Sequence, residues 1–119
     1  MITTAIPKLP FIDRQKTIDF YINQLGFTLI ADYGDYFIIK REGAELHFFH
    51  HPKLIPAASH FMIYLRMDGE IVPYYQSIIS KNTNILAPLE TKPWGQTEFA
   101  VTDPNGTLLT FGQETDKQY

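Results

Sequence analysis

Two stretches, Arg41-Glu-Gly-Ala-Glu-Leu-His-Phe48 and Pro104-Asn-Gly-Thr-Leu-Leu-Thr-Phe111, carry one pattern twice. Gly43 falls on Gly106, Leu46 on Leu109 and Phe48 on Phe111. In each copy a glycine closes a tight turn, and the apolar residues after it recur at every second position, as in a strand with one buried face. The elements leading into each copy also come in the same order. Before the first copy, Thr3–Leu9 reads as a short strand, and Pro7, which lacks an N–H, places it at an edge or where it leaves its own sheet. Asp13 caps a helix whose Ile18, Tyr21, Ile22 and Leu25 share one side. Gly26 ends that helix, because glycine takes the left-handed cap conformation at little cost. Strands follow at Phe27–Ala31, Tyr36–Arg41 and Glu45–His50, joined at Gly34-Asp35 and Glu42-Gly43.

The segment His51–Ser59 has two prolines and no periodicity and reads as a linker. The order then recurs. Phe61–Met67 is a strand, and Asp68 caps a second helix with Ile71, Tyr74, Tyr75, Ile78 and Ile79 on one face. Pro73 lies near that helix's first turn, where a missing N–H does least harm. Ile85–Leu89 reads as a strand, and Gln96–Thr102 and Thr107–Gln113 form a hairpin across Asp103-Pro-Asn-Gly106, a type I turn sequence. The chain is therefore α+β: two βαβββ modules, about 3–50 and 60–113, with 51–59 between them, in one domain over 1–119. Neither module alone has a large enough core, so a duplicated fold is expected to bury a shared face.

Composition narrows the function. The chain has 119 residues and no cysteine, which rules out a disulfide, a thiolate nucleophile and a thiolate metal site and suits the cytoplasm. Net charge is −3, with ten Lys and Arg scattered rather than striped, so nucleic acid is not an expected partner. No apolar run is long enough to span a bilayer, and the first ten residues lack a secretory pattern. The nine Phe, seven Tyr and one Trp exceed what a core of this size needs, so some are expected to line a cavity. No G-x-S-x-G elbow or phosphate-cradling glycine loop is present.

Taken with this plan, six stretches resemble the vicinal oxygen chelate (glyoxalase/bleomycin resistance/dioxygenase) superfamily, and within it the bleomycin-resistance proteins. They are Ala5-Ile-Pro-Lys-Leu-Pro10, Phe20-Tyr21 with Leu25-Gly-Phe27, Leu46-His-Phe-Phe49, Lys92-Pro-Trp-Gly95, Glu98-Phe-Ala100 and Asp103-Pro-Asn-Gly-Thr-Leu-Leu109. The resemblance implies a cup-shaped mixed sheet and a homodimer with an exchanged N-terminal strand. It also implies a non-catalytic protein that sequesters bleomycin-type glycopeptides and so confers resistance. Two other readings stay open: a metal-dependent glyoxalase-like isomerase or thiol-transferase of the same superfamily, and a binder of another small molecule.

In the superfamily's enzymes, metal ligands come from the first and last strand of each module. Those places fall at about Ile6, His47, Met62 and Thr110, where only His47 is a strong donor. His50 points away from His47 by strand alternation, and His51 lies roughly 13 Å along it. No metal, cofactor or catalytic group is therefore expected. The expected ligand-binding residues are Trp94, His47, Phe49, Tyr36, Phe61, Asp32 and Asp35. Trp94 and Phe49 would stack on a flat heteroaromatic segment, His47 would be a polar handle, and Asp32 and Asp35 would attract a cationic tail. Trp94 as a core plug, Tyr36 and Phe61 as core, and the two aspartates as solvated turn residues are the competing structural readings.

Overall fold

The computed structural model describes residues 1–115. The first compact unit comprises Met1–Phe61 together with Pro104–Thr107, and the second comprises Met62–Asp103 with the chain from Leu108 onward. In the first unit, β1 (Lys8–Phe11), β2 (Thr28–Asp32), β3 (Tyr36–Arg41) and β4 (Ala44–His50) form a sheet in the order β1-β4-β3-β2. In the second, β5 (Met62–Met67), β6 (Ile85–Thr91), β7 (Gln96–Thr102) and β8 (Leu108–Glu114) repeat it as β5-β8-β7-β6. The first strand of each unit runs parallel to the last, and the remaining pairs are antiparallel. The expected α+β duplication is the observed fold.

One face of each sheet is covered by a helix. In the first unit, α1 (Arg14–Ile18) starts at Asp13, whose carboxylate accepts the Lys16 N–H at 2.9 Å. It widens into a π-helical segment, Asp19–Gln24, that presents Phe20 and Tyr21 to the sheet. The Tyr21 ring meets Phe48 edge-on at 4.9 Å, and Phe37 stacks on Phe48 at 4.7 Å. Leu9, Phe11, Ile39 and Leu46 complete that core. In the second unit, α2 (Ile71–Ser80) buries Ile71 and Ile78, and its Tyr74 and Tyr75 pack on the stacked rings of Phe99 and Phe111. Ile79, expected on the same face, is 45% exposed because it lies a further 100° round the helix from Ile78.

Three local expectations are corrected. The first strand is Lys8–Phe11 rather than Thr3–Leu9, and residues 1–7 belong to no strand. Pro10 is accommodated because β1 is an edge strand, whose outer side needs no donor. Asp68 does not cap α2. Glu70 occupies the cap position at φ +68 without a side-chain bond, and Gln113 from β8 accepts the Ile71 N–H at 3.0 Å instead. Finally, the turn after β7 belongs with the first unit. Asn105, 1% exposed, accepts the Ile12 N–H at 2.9 Å and donates to the Thr17 hydroxyl at 3.1 Å. Gly106, at φ +82, lies so close to Pro56 that a β-carbon would fall 2.1 Å from its carbonyl oxygen. Only glycine fits there on both counts.

Candidate functional site

With helices on one face of each sheet, period-two alternation leaves the other face for polar chemistry. In the first unit that face carries Lys8 from β1, Tyr36, Ile38 and Lys40 from β3, and Glu45, His47 and Phe49 from β4. Its centre is a hydrogen-bonded chain of three side chains. The Tyr36 hydroxyl lies 2.6 Å from His47 Nδ1, and His47 Nε2 lies 2.7 Å from a Glu45 carboxylate oxygen. The Lys8 ammonium sits 5.6 Å from the centre of the Tyr36 ring. That distance is within the range of a cation–π contact. Phe49 is the register partner of Tyr36, and its ring lies 6.2 Å from Phe61 and 6.3 Å from His51. Four of the seven expected residues, Tyr36, His47, Phe49 and Phe61, therefore form one neighbourhood. All four are half-buried rather than core.

Of the other three, Asp32 ends β2 and Asp35 lies in the β2–β3 connection of the same unit, and Trp94 belongs to the second unit. Asp32 is paired with Arg14, and its carboxylate also accepts the Gly34 N–H at 3.0 Å. Its charge is thus answered within the chain, which weakens its expected role toward a cationic ligand. Asp35 is exposed in the same turn, and its backbone carbonyl accepts the His50 N–H. Trp94, in the second unit, is 66% exposed at the tip of the β6–β7 turn, so it plugs no core. Gly95 at φ +85 shapes that turn, and the Lys92 ammonium lies 6.0 Å over the indole.

The second unit has its own polar cluster, which sequence reasoning missed. The Tyr64 hydroxyl donates to Glu98 at 2.8 Å, and the Arg66 guanidinium lies 5.7 Å over the Tyr64 ring. Burial, then the hydrogen bond and negative charge of Glu98, holds the Tyr64 phenol above its ordinary pKa of 10.0. Tyr64 can lie there only because Gly112 is bare: a β-carbon on Gly112 would fall 1.7 Å from the Tyr64 oxygen. The repeat explains the arrangement. Continuing the match of Phe48 with Phe111 puts Gly112 where the first unit has Phe49, and the registers then make Glu98 the equivalent of Tyr36 and Tyr64 the equivalent of Lys8. In both units a first-strand side chain reaches diagonally across the last strand to the third. The missing side chain at 112 was the available sequence signal.

At the places where the resemblance puts the metal ligands of the superfamily's enzymes, His47 is paired with Lys8 of β1 and Thr110 with Tyr64 of β5. An ammonium is no metal ligand, and a neutral phenol is a poor one for zinc. Among the described residues, no group of three or more His, Asp or Glu is placed to hold a metal ion. The donor set does not fit the metal-dependent chemistry of the superfamily's enzymes.

Two βαβββ units, each with a sheet face of aromatic and hydrogen-bonding side chains, define a duplicated α+β fold. Residues 8–111 match the Glyoxalase/Bleomycin resistance protein/Dioxygenase superfamily, and the chain belongs to it. It is 38% identical over 117 residues to a bleomycin resistance protein of Klebsiella pneumoniae, covering 92% of this chain and 90% of that one. Among solved structures it is similar to a bleomycin-binding protein complexed with bleomycin, with TM-score 0.83 and 35% identity over 95% of this chain and 99% of that one. It is also similar to a bleomycin resistance determinant encoded on the transposon Tn5, with TM-score 0.84 and 35% identity over 95% and 98% of the two chains. No helix among the described residues is long and apolar enough to cross a membrane.

Proposed function

We propose that this chain binds a bleomycin-type glycopeptide stoichiometrically and confers resistance by withholding the drug from DNA, with no bond made or broken. The observation that carries this reading is the resemblance in sequence and fold to a protein crystallised with bleomycin, over nearly the whole of both chains. The chemistry of the faces agrees with it. Phe49, Phe61 and the exposed Trp94 offer flat apolar surface to a heteroaromatic segment. Tyr36, held by His47, supplies a polar handle, and Asp35 is the remaining turn acid for a cationic tail. A non-catalytic role is supported by the donor set: the neighbours of His47 on this face are Glu45, Tyr36 and Lys8, whereas a catalytic zinc takes three strong protein ligands.

The acting species in this reading is a cytoplasmic homodimer with an exchanged N-terminal strand. Support comes from residues 1–7, which belong to no strand and expose Ile2 at 97% and Ile6 at 39%.

Drug-dependent cleavage of plasmid DNA, followed as protein is added, tests the mechanism. Sequestration predicts full protection only when chains match drug molecules in number. Full protection by a small fraction of that amount would show that the drug is being consumed and would make the protein an enzyme.

A further inference from the structure

The Tyr36–His47–Glu45 chain has a definite polarity. An ionised carboxylate has only lone pairs to offer, so Glu45 requires the hydrogen of His47 on Nε2. His47 Nδ1 is then an acceptor, and the hydrogen-bonding partner at 2.6 Å, the Tyr36 hydroxyl, must donate to it. That uses the only hydrogen the phenol has. The opposite tautomer would set the Nε2 lone pair against the carboxylate, which is repulsive at 2.7 Å.

From this we infer that Tyr36 is held as a fixed hydrogen-bond acceptor on the binding face, and that it selects a neutral N–H donor of the ligand, such as an amide. His47 and Glu45 are the positioning residues that fix its polarity. The inference rests on the drug-binding reading above. Charge decides between an amide and an amine. The Lys8 ammonium already lies over the Tyr36 ring, and Lys40 is the register partner of Glu45, so a second cation seated at the phenol oxygen would meet like charge. Among the charged and titratable groups facing this chain, Lys8 comes from β1, Tyr36 and Lys40 from β3, and Glu45 from β4 itself.

Ring-nitrogen chemical shifts of His47 in the full chain, assigned by their loss in His47→Gln, test the relay without any ligand. The expected result is a protonated Nε2 and an unprotonated Nδ1, and a protonated Nδ1 in the neutral ring would overturn it. Titration with metal-free bleomycin then tests the ligand step. Tyr36→Phe should weaken binding about tenfold, the loss of one buried hydrogen bond. Glu45→Gln, which can pair with either tautomer, should also weaken binding but add nothing in the Tyr36→Phe background. Losses that multiply would show Glu45 touching the ligand itself and overturn its positioning role. If the unsubstituted chain gives no binding heat with the drug, the drug-binding reading falls, and the ring-nitrogen shifts alone then support or overturn the relay.

Discussion

Replacing Asn105 by alanine is expected to undo the anchoring of the β7–β8 turn in the first unit. The Asn105 side chain is 1% exposed and satisfies two groups distant in sequence, the Ile12 amide at 2.9 Å and the Thr17 hydroxyl at 3.1 Å. Thr17 keeps a second bond, to the Asp13 carbonyl at 2.8 Å, so its loss is partial. The Ile12 amide loses the partner that Asn105 supplied. An unsatisfied buried donor costs about 1–3 kcal/mol, and the space left by the amide adds to that, so a total near 3 kcal/mol follows. At this chain length about 4 °C of melting temperature corresponds to each kcal/mol, which predicts a fall of about 12 °C. Scanning calorimetry measures the fall, and hydrogen exchange at the Ile12 amide, which should speed up well before global unfolding, locates it. A melting temperature within about 3 °C of the parent, with Ile12 exchange unchanged, would refute the claim that this turn is structurally part of the first unit.

Further outcomes follow from the second sheet face and the exposed turn. Gly112→Ala should leave melting within about 1 kcal/mol, since the strand gains a better residue while Tyr64 swings away from Glu98 and gives up one exposed hydrogen bond. The same variant should weaken drug binding if the Tyr64 ring is part of the floor, and unchanged calorimetric affinity would exclude it. Because the folded Tyr64 phenol keeps its proton to higher pH than the unfolded one, its contribution is complete below pH 10 and is lost as pH rises through the folded value. Tyr64→Phe should therefore flatten the alkaline limb of a stability–pH curve, and an identical limb would contradict this. Trp94→Ala should leave the melting temperature unchanged, because the indole is 66% exposed, and weaken drug binding by at least about tenfold. Unchanged affinity would remove Trp94 from the site.

The duplication was legible because a turn glycine and two alternating apolar positions recur in both halves, and strand parity follows from alternation alone. Parity correctly put Glu45, His47 and Phe49 on one face. Register is different: it depends on which backbone groups meet across strands far apart in sequence, and alternation is blind to shifts of two. That is why the pairing of His47 with Lys8 and of Thr110 with Tyr64 could not be read from the sequence. The Tyr36–His47–Glu45 chain joins neighbouring strands and could be guessed only in part, whereas Tyr64–Glu98 spans the bare Gly112 and needs three strands in register. The cap at Glu70 was hidden for a similar reason, since the side chain that meets the Ile71 amide is Gln113, from β8. The ion pair of Asp32 was not legible because its partner, Arg14, lies across a helix and a strand connection.

The measurement that bears most directly on function is a calorimetric titration of the chelator-treated full chain with metal-free bleomycin, followed by the copper-loaded drug. Stoichiometric sequestration predicts saturation at about one drug per chain with micromolar or tighter affinity, and quenching of Trp94 fluorescence over the same range. No binding heat at high micromolar drug, in either form, would contradict it and assign these two sheet faces to a different ligand.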